Sequence, residues 1–126
     1  MLRATFIPDF KSSNTLLIWG DNSDMARLSD GLLELRWDER SVLEVEGGQG
    51  LSSLRVRAGR GRWVSRVSGS EDAFEWVCSP DVLKDCLGLI EPLLTSATGH
   101  QYVDTQGDIT NQVVIAVNEY PDNFRL

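Results

Sequence analysis

Apolar and polar positions alternate with a period of two along most of this chain, and a period near 3.6 surfaces in only two stretches. Branched and aromatic residues run through Arg3 to Ile7 and again through Thr15 to Trp19, the second run ending on the turn signal Gly20-Asp21-Asn22. These predict two strands. Beyond that turn, Asn22 or Ser23 is placed to cap a helix whose apolar residues Met25, Leu28, Leu32 and Leu35 recur at helical spacing. Two features oppose the helix in its second half. Gly31 disfavours a helix interior by about 1 kcal/mol, and Leu33, Leu35 and Trp37 alternate with Glu34, Arg36 and Asp38 as in a strand. Residues 32–37 therefore stand open between helix and strand.

Leu43 and Val45 alternate with Glu44 and Glu46 up to Gly47-Gly48-Gln49-Gly50, and Leu54, Val56 and Ala58 then alternate with Arg55 and Arg57. A hairpin is predicted there. The chain turns again at Gly59-Arg60-Gly61 and returns through Trp63, Ser65 and Val67, and a further strand, Ala73 to Cys78, follows. The middle of the protein reads as an antiparallel meander. Ser79-Pro80-Asp81 then opens the clearest helix, since Ser caps, Pro suits the first helical position and Asp suits the positive end of the dipole. Its apolar face is Leu83, Cys86, Leu87, Ile90, Leu93 and Leu94; Pro92 predicts a break near Leu89 to Glu91 within the span Pro80 to Ala97, and Gly99 closes it. Strands are predicted at His100 to Asp104 and at Gln112 to Val117, the latter central because its apolar run is nearly continuous. The expected fold is α+β, with a mostly antiparallel sheet of about five to seven strands and two helices packed on one face.

With 126 residues, no repeat and no Pro-rich linker, the chain reads as one domain, 1–126. Its hydrophobic share of 41% and four Trp suffice for a packed core, so no disulfide scaffold is needed. No apolar run is long enough for a membrane helix, and Pro8, Asp9 and Lys11 interrupt the N-terminal segment too early for a signal peptide. A cytoplasmic protein is expected, with Cys78 and Cys86 as reduced thiols. The net charge of −7 repels a phosphate backbone at long range, which makes nucleic acid an unfavoured partner.

Against that acidity, five arginines crowd residues 55 to 66. If the turn pairs the two flanking strands directly, Arg55, Arg57, Arg62 and Arg66 share one face as a cationic strip. Two readings stand: a binding surface, or a solvated sheet face whose guanidinium groups pair with carboxylates such as Glu44 and Glu46. Trp63 falls on the opposite face by alternation and is assigned to the core. His100, the only histidine, shares a strand face with Tyr102 and Asp104. A nominal Cys-His-Asp set with Cys78 or Cys86 lacks any local nucleophile signature, and a histidine satisfied by a backbone carbonyl is the expected role. Gly47-Gly48-Gln49-Gly50 lacks the Lys-Ser/Thr ending of a phosphate loop and reads as a turn. Neither Asp21, Asn22 and Asp24 nor Asp104, Asp108 and Asp122 has calcium-loop spacing, and the two cysteines fit no zinc spacing, so no metal, cofactor or catalytic residue is assigned. In the C-terminal segment, Tyr120 and Phe124 either dock a partner or fasten the last strand to the body.

The segment Gly99-His100-Gln101-Tyr102, with an apolar strand and Glu119-Tyr120-Pro121 after it, resembles a pattern in small uncharacterised bacterial proteins. The resemblance implies a bacterial cytoplasmic α+β protein; some proteins of that description are immunity proteins for toxins, and it transfers no functional residue. The leading expectation is a non-enzymatic protein-binding domain, of immunity type, with a surface at Asp21, Asp24, Asp30, Glu34, Asp38 and Glu39 that masks a basic partner. The alternatives are an anion or nucleic-acid binding module using the arginines, and a small enzyme around His100.

Overall fold

A computed structural model describes residues 1–48, 53–70, 73–107, 110, 112–121 and 123–124. The elements are β1 (Arg3–Phe10), β2 (Ser13–Gly20), α1 (Asn22–Arg36), β3 (Leu43–Gly47), β4 (Ser53–Ala58), β5 (Ser65–Ser70), β6 (Ala73–Cys78), α2 (Pro80–Ile90), β7 (Gly99–Asp104) and β8 (Gln112–Val117). All eight strands join one sheet in the order β5-β6-β4-β3-β1-β2-β8-β7. The class is α+β as expected, with more strands than predicted. Each sequential hairpin, β1/β2, β3/β4, β5/β6 and β7/β8, is antiparallel. The hairpins are joined by parallel contacts, β1/β3, β2/β8 and β4/β6.

The meander is therefore corrected. β5 does not pair with β4, because β6 lies between them and runs parallel to β4. The chain after β4 swings wide through residues 59–64, and Gly59 N–H is taken by the Cys78 carbonyl at 2.7 Å instead of by a returning strand.

Alternation along the strands sorts residues between two faces. Leu54, Val56, Phe74, Trp76, Val67, Leu16, Ile18, Val113 and Ile115 form the main core with Met25, Leu28, Leu32 and Leu35 of α1 and Leu83, Cys86 and Ile90 of α2. Both helices thus pack on one face, and the sheet curls around them. On the outer face a smaller cluster of Ile7, Leu17, Trp19, Val114 and Ala116 is covered by Phe10, Tyr120 and Phe124. Trp19 Nε1 donates to the Pro121 carbonyl at 3.0 Å and its ring meets Phe124 edge-on. Coverage on both faces explains why β2 and β8 read as nearly unbroken apolar runs. Tyr120 and Phe124 fasten the last strand.

The first helix continues through residues 32–36 and Trp37 is its C-cap, so the strand alternative there is set aside. Gly31 is needed for close approach, since a Cβ there would lie 2.7 Å from Leu43 Cδ1. The cap is Asp21, not Asn22 or Ser23: Asp24 N–H donates to Asp21 Oδ1 at 2.8 Å, and Asp21 N–H donates to Asp24 Oδ2 at 2.9 Å. Asp24 is buried and also pairs with the Met1 α-amino group at 2.9 Å and Arg27 at 2.6 Å. In the second helix the predicted break occurs on schedule, with α2 ending at Ile90 and a 3₁₀ turn, Glu91–Leu94, carrying Pro92.

The topology has an internal symmetry that residue identities conceal. Residues 3–58 and 65–117 each form a hairpin, a helix and a second hairpin. Exchanging the two units maps β1/β2 onto β5/β6, β3/β4 onto β7/β8 and β2/β8 onto β6/β4. The counterpart of the parallel β1/β3 contact is then a contact between β5 and the end of β7. It exists as a parallel bridge between Arg66 and Gln106.

Two outcomes follow. Gly31→Val crowds Leu43 and is expected to destabilise the fold by about 1–3 kcal/mol, read as a lower urea midpoint. For Asp24, burial opposes ionisation, but the Asp21 N–H, the Met1 amino group and Arg27 outweigh it and lower the pKa from 3.8 to about 2. A depressed carboxylate pKa adds stability that is present above the unfolded value and lost as the folded value is passed. Stability should therefore fall as pH drops from 3.8 through about 2, and Asp24→Asn should flatten that part of a urea-midpoint profile.

Candidate functional site

The parallel bridge closes the curled sheet over a short length only. Gln106 N–H donates to the Ser65 carbonyl at 2.6 Å, and Val67 N–H donates to the Gln106 carbonyl at 3.2 Å. Because the bridge is parallel, the residues preceding each partner lie on the same side of it, and there the two chains part around Trp63 on one wall and Tyr102 on the other. A cleft of about 340 Å³ opens between them. Its floor is α2, through Val82, Asp85 and Leu89, and its far wall continues through Val103, Asp104 and Thr105.

Each wall is held by polar contacts. Trp63 sits in the left-handed region at φ 56°, which a bulky residue adopts only under constraint. Its N–H donates to Asp81 Oδ2 at 2.9 Å, Val64 N–H donates to Ser79 Oγ at 2.9 Å, and Ser79 N–H donates to the Val64 carbonyl at 2.8 Å. Ser79 therefore does not cap α2 with its side chain as predicted. Its hydroxyl holds the 59–64 loop and donates to Asp81, whose pKa it lowers, with the Trp63 N–H adding to the effect. On the opposite wall Tyr102 meets the His100 ring edge-on, and His100 Nδ1 lies 2.7 Å from Glu119 Oε1. His100 is thus satisfied by a carboxylate, not by the expected backbone carbonyl. The two ends of the segment behind the bacterial resemblance meet at this contact.

Trp63 is 59% exposed and Tyr102 44% exposed, so the core assignment of Trp63 fails. The strand begins only at Ser65, and alternation does not extend back into the turn. The arginines are dispersed. Arg55 pairs with Glu44 at 3.3 Å and Arg57 with Glu75 at 3.5 Å. Arg66 shares their outer face with β6 intervening, its neighbour across the ladder being Val77, and Arg62 lies in the exposed turn. The four do not form a strip. The acidic surface is also thinned, because Asp24 is buried, Asp21 caps α1 and Glu34 pairs with Arg40 at 3.1 Å. Asp30, Asp38 and Glu39 remain exposed. Gln49 and Gly50 of the glycine turn, Asp108 and Asp122 lie outside the described residues.

His100, Tyr102 and Asp104 do share the outer face, as Ala116, Val114 and Gln112 across the ladder require. The cysteines belong to the inner core, on the other side of the sheet. Burial raises the Cys78 thiol pKa, with Cys86 adding to it, and pushes Cys86 up to about 12, with Asp85 adding. Sequence reasoning missed Val82, Asp85, Leu89, Thr105 and Gln106, because their association depends on where the sheet closes. Comparison with known protein families, with curated proteins and with solved structures finds no match.

The thiol state gives a direct check. With both cysteines protonated and buried, a thiol-specific disulfide reagent at neutral pH should modify neither Cys78 nor Cys86 in the folded protein and both after denaturation.

Proposed function

We propose that this chain is a non-enzymatic protein-binding domain that docks a basic partner at the cleft between Trp63, α2 and Tyr102. The observation that carries this reading is the contrast between the two symmetry-related gaps in the sheet. The counterpart gap, about 390 Å³ beside the β1/β3 contact, is lined by Arg27, Asp30, Glu34, Arg40, Glu44 and Glu46 among others. There Arg27 and Arg40 are matched by Asp24 and Glu34. Among the described residues the only charged groups lining the cleft at the bridge are Asp85 and Asp104, and neither has an ion pair there. Two exposed aromatics flank them, and aromatic faces beside carboxylates suit an arginine or lysine side chain by cation–π and charge-assisted contact.

This supports the finer reading of an acidic inhibitor that masks a basic site on a toxin, as immunity proteins do; the net charge of −7 would speed such an encounter. An anion-binding role draws less support, since Arg55 and Arg57 are already paired with carboxylates. A His100 enzyme draws less again, with the cysteines on the other face of the sheet.

The test compares capture from a lysate of the source organism by folded wild-type protein and three variants. Trp63→Ala/Tyr102→Ala and Asp85→Asn/Asp104→Asn should each weaken retention of the partner by roughly tenfold or more. The Arg55/Arg57/Arg62/Arg66 to Ala variant should retain it. Loss in the arginine variant alone would move the site to those residues.

A further inference from the structure

The wall of the cleft formed by β7 is more than a row of side chains. β7 is the last strand of the sheet and, among the described residues, pairs only with β8. Its six residues keep an unbroken register, Gly99 opposite Val117 through Asp104 opposite Gln112, with no bulge. In an antiparallel pair, alternate residues direct their N–H and C=O groups away from the partner, so the far side of β7 presents a regular row of donors and acceptors. Folded proteins ordinarily blunt such an edge with lysine, proline, a bulge or a covering segment. Gly99-His100-Gln101-Tyr102-Val103-Asp104 contains neither lysine nor proline.

The opposite edge strand is treated differently. β5 carries Arg66 outward, contains Gly69 at φ 145° and is taken up at its start by the bridge to Gln106. Among the described residues β7 is the end of the sheet left regular and open, and it borders the cleft whose two carboxylates have no ion pair there.

We infer that β7 is a strand-addition site: an extended, basic segment of a partner protein pairs with its free edge and sets a lysine or arginine side chain between Asp85 and Asp104, against Trp63 and Tyr102. Backbone pairing supplies affinity, and alternate side chains supply the choice of sequence. A basic segment fits better than a second copy of this chain. Edge-to-edge pairing of two copies would set one net charge of −7 against another and double the carboxylates at the cleft. The inference rests on the docking role proposed for the cleft, and its test separates the two.

Random displayed peptides of about ten residues, long enough to form a strand, are selected on the wild-type protein and counter-selected on Asp85→Asn/Asp104→Asn. The enriched peptides are synthesised, and amide hydrogen exchange of the full chain is measured with and without them. The expected peptides combine lysine or arginine with β-branched residues and slow exchange at alternate amides of Gly99–Asp104 by about tenfold or more; replacing their alternate residues with proline abolishes binding. Peptides that need Asp85 and Asp104 but leave β7 exchange unchanged, and tolerate proline, would overturn strand addition and leave the cleft as a docking site. Failure to enrich any peptide that distinguishes wild type from the Asp85→Asn/Asp104→Asn protein would overturn both. A dimer of the peptide-free protein in sedimentation, with slowed exchange at β7, would assign the edge to a second copy instead.

Discussion

Two backbone hydrogen bonds at Gln106 hold the ends of the eight-stranded sheet together, and the form of the cleft follows from how little they join. Twist makes a sheet of this breadth curl, and the two helices occupy the inside of the curve. Closure then depends on whether the edge strands meet over their whole length. Here they meet at Ser65, Val67 and Gln106, then diverge, because Trp63 is pulled toward the start of α2 by Asp81 while Tyr102 stays with its hairpin. A full β5/β7 ladder would remove the cleft and the free edge together.

Much of this architecture was legible in the chain because it is local. The alternation of Leu54 and Val56 with Arg55 and Arg57, the cap-like Ser79-Pro80-Asp81 and the position of Pro92 each describe a neighbourhood of a few residues. The order of the strands is not local. β6 enters between β4 and β5 through a parallel contact, and nothing in the Gly59-Arg60-Gly61 turn distinguishes that path from a tight hairpin. The same limit explains Trp63, assigned inward by a period of two that begins only at Ser65. It also explains Gly31, whose local penalty within α1 is offset by the access it gives Leu43. The candidate site suffered most. Asp85 lies on a helix, Asp104 on a strand and Trp63 in a turn, and their only common property is nearness to the bridge.

The duplicated topology separates structural demands from local ones. Both units produce a short parallel joint and a gap beside it, so a gap of this kind follows from the architecture and carries no functional meaning alone. What differs is the chemistry of the linings. Beside β1 and β3 the charges are of both signs and largely matched, as solvent-facing groups tend to become when nothing else claims them. Beside the bridge, arginine and lysine are missing from the lining among the described residues, in a chain that places five arginines within residues 55 to 66. Arg60 and Arg62 lie in the loop that carries Trp63, yet neither lines the cleft.

Edge protection bears on the same residues. Pairing energy in a sheet resides in the backbone and is indifferent to sequence, so an open edge is tolerated only where its surroundings restrict what can join it. Around β7 that restriction is electrostatic and geometric. Trp63, Tyr102, Asp85 and Asp104 line the cleft beside this edge, and under the proposed strand addition they would favour an extended cationic segment over an acidic one. In that proposal the carboxylates that discriminate between partners would also disfavour pairing with a second copy of this acidic chain, so that one arrangement of residues would serve both purposes.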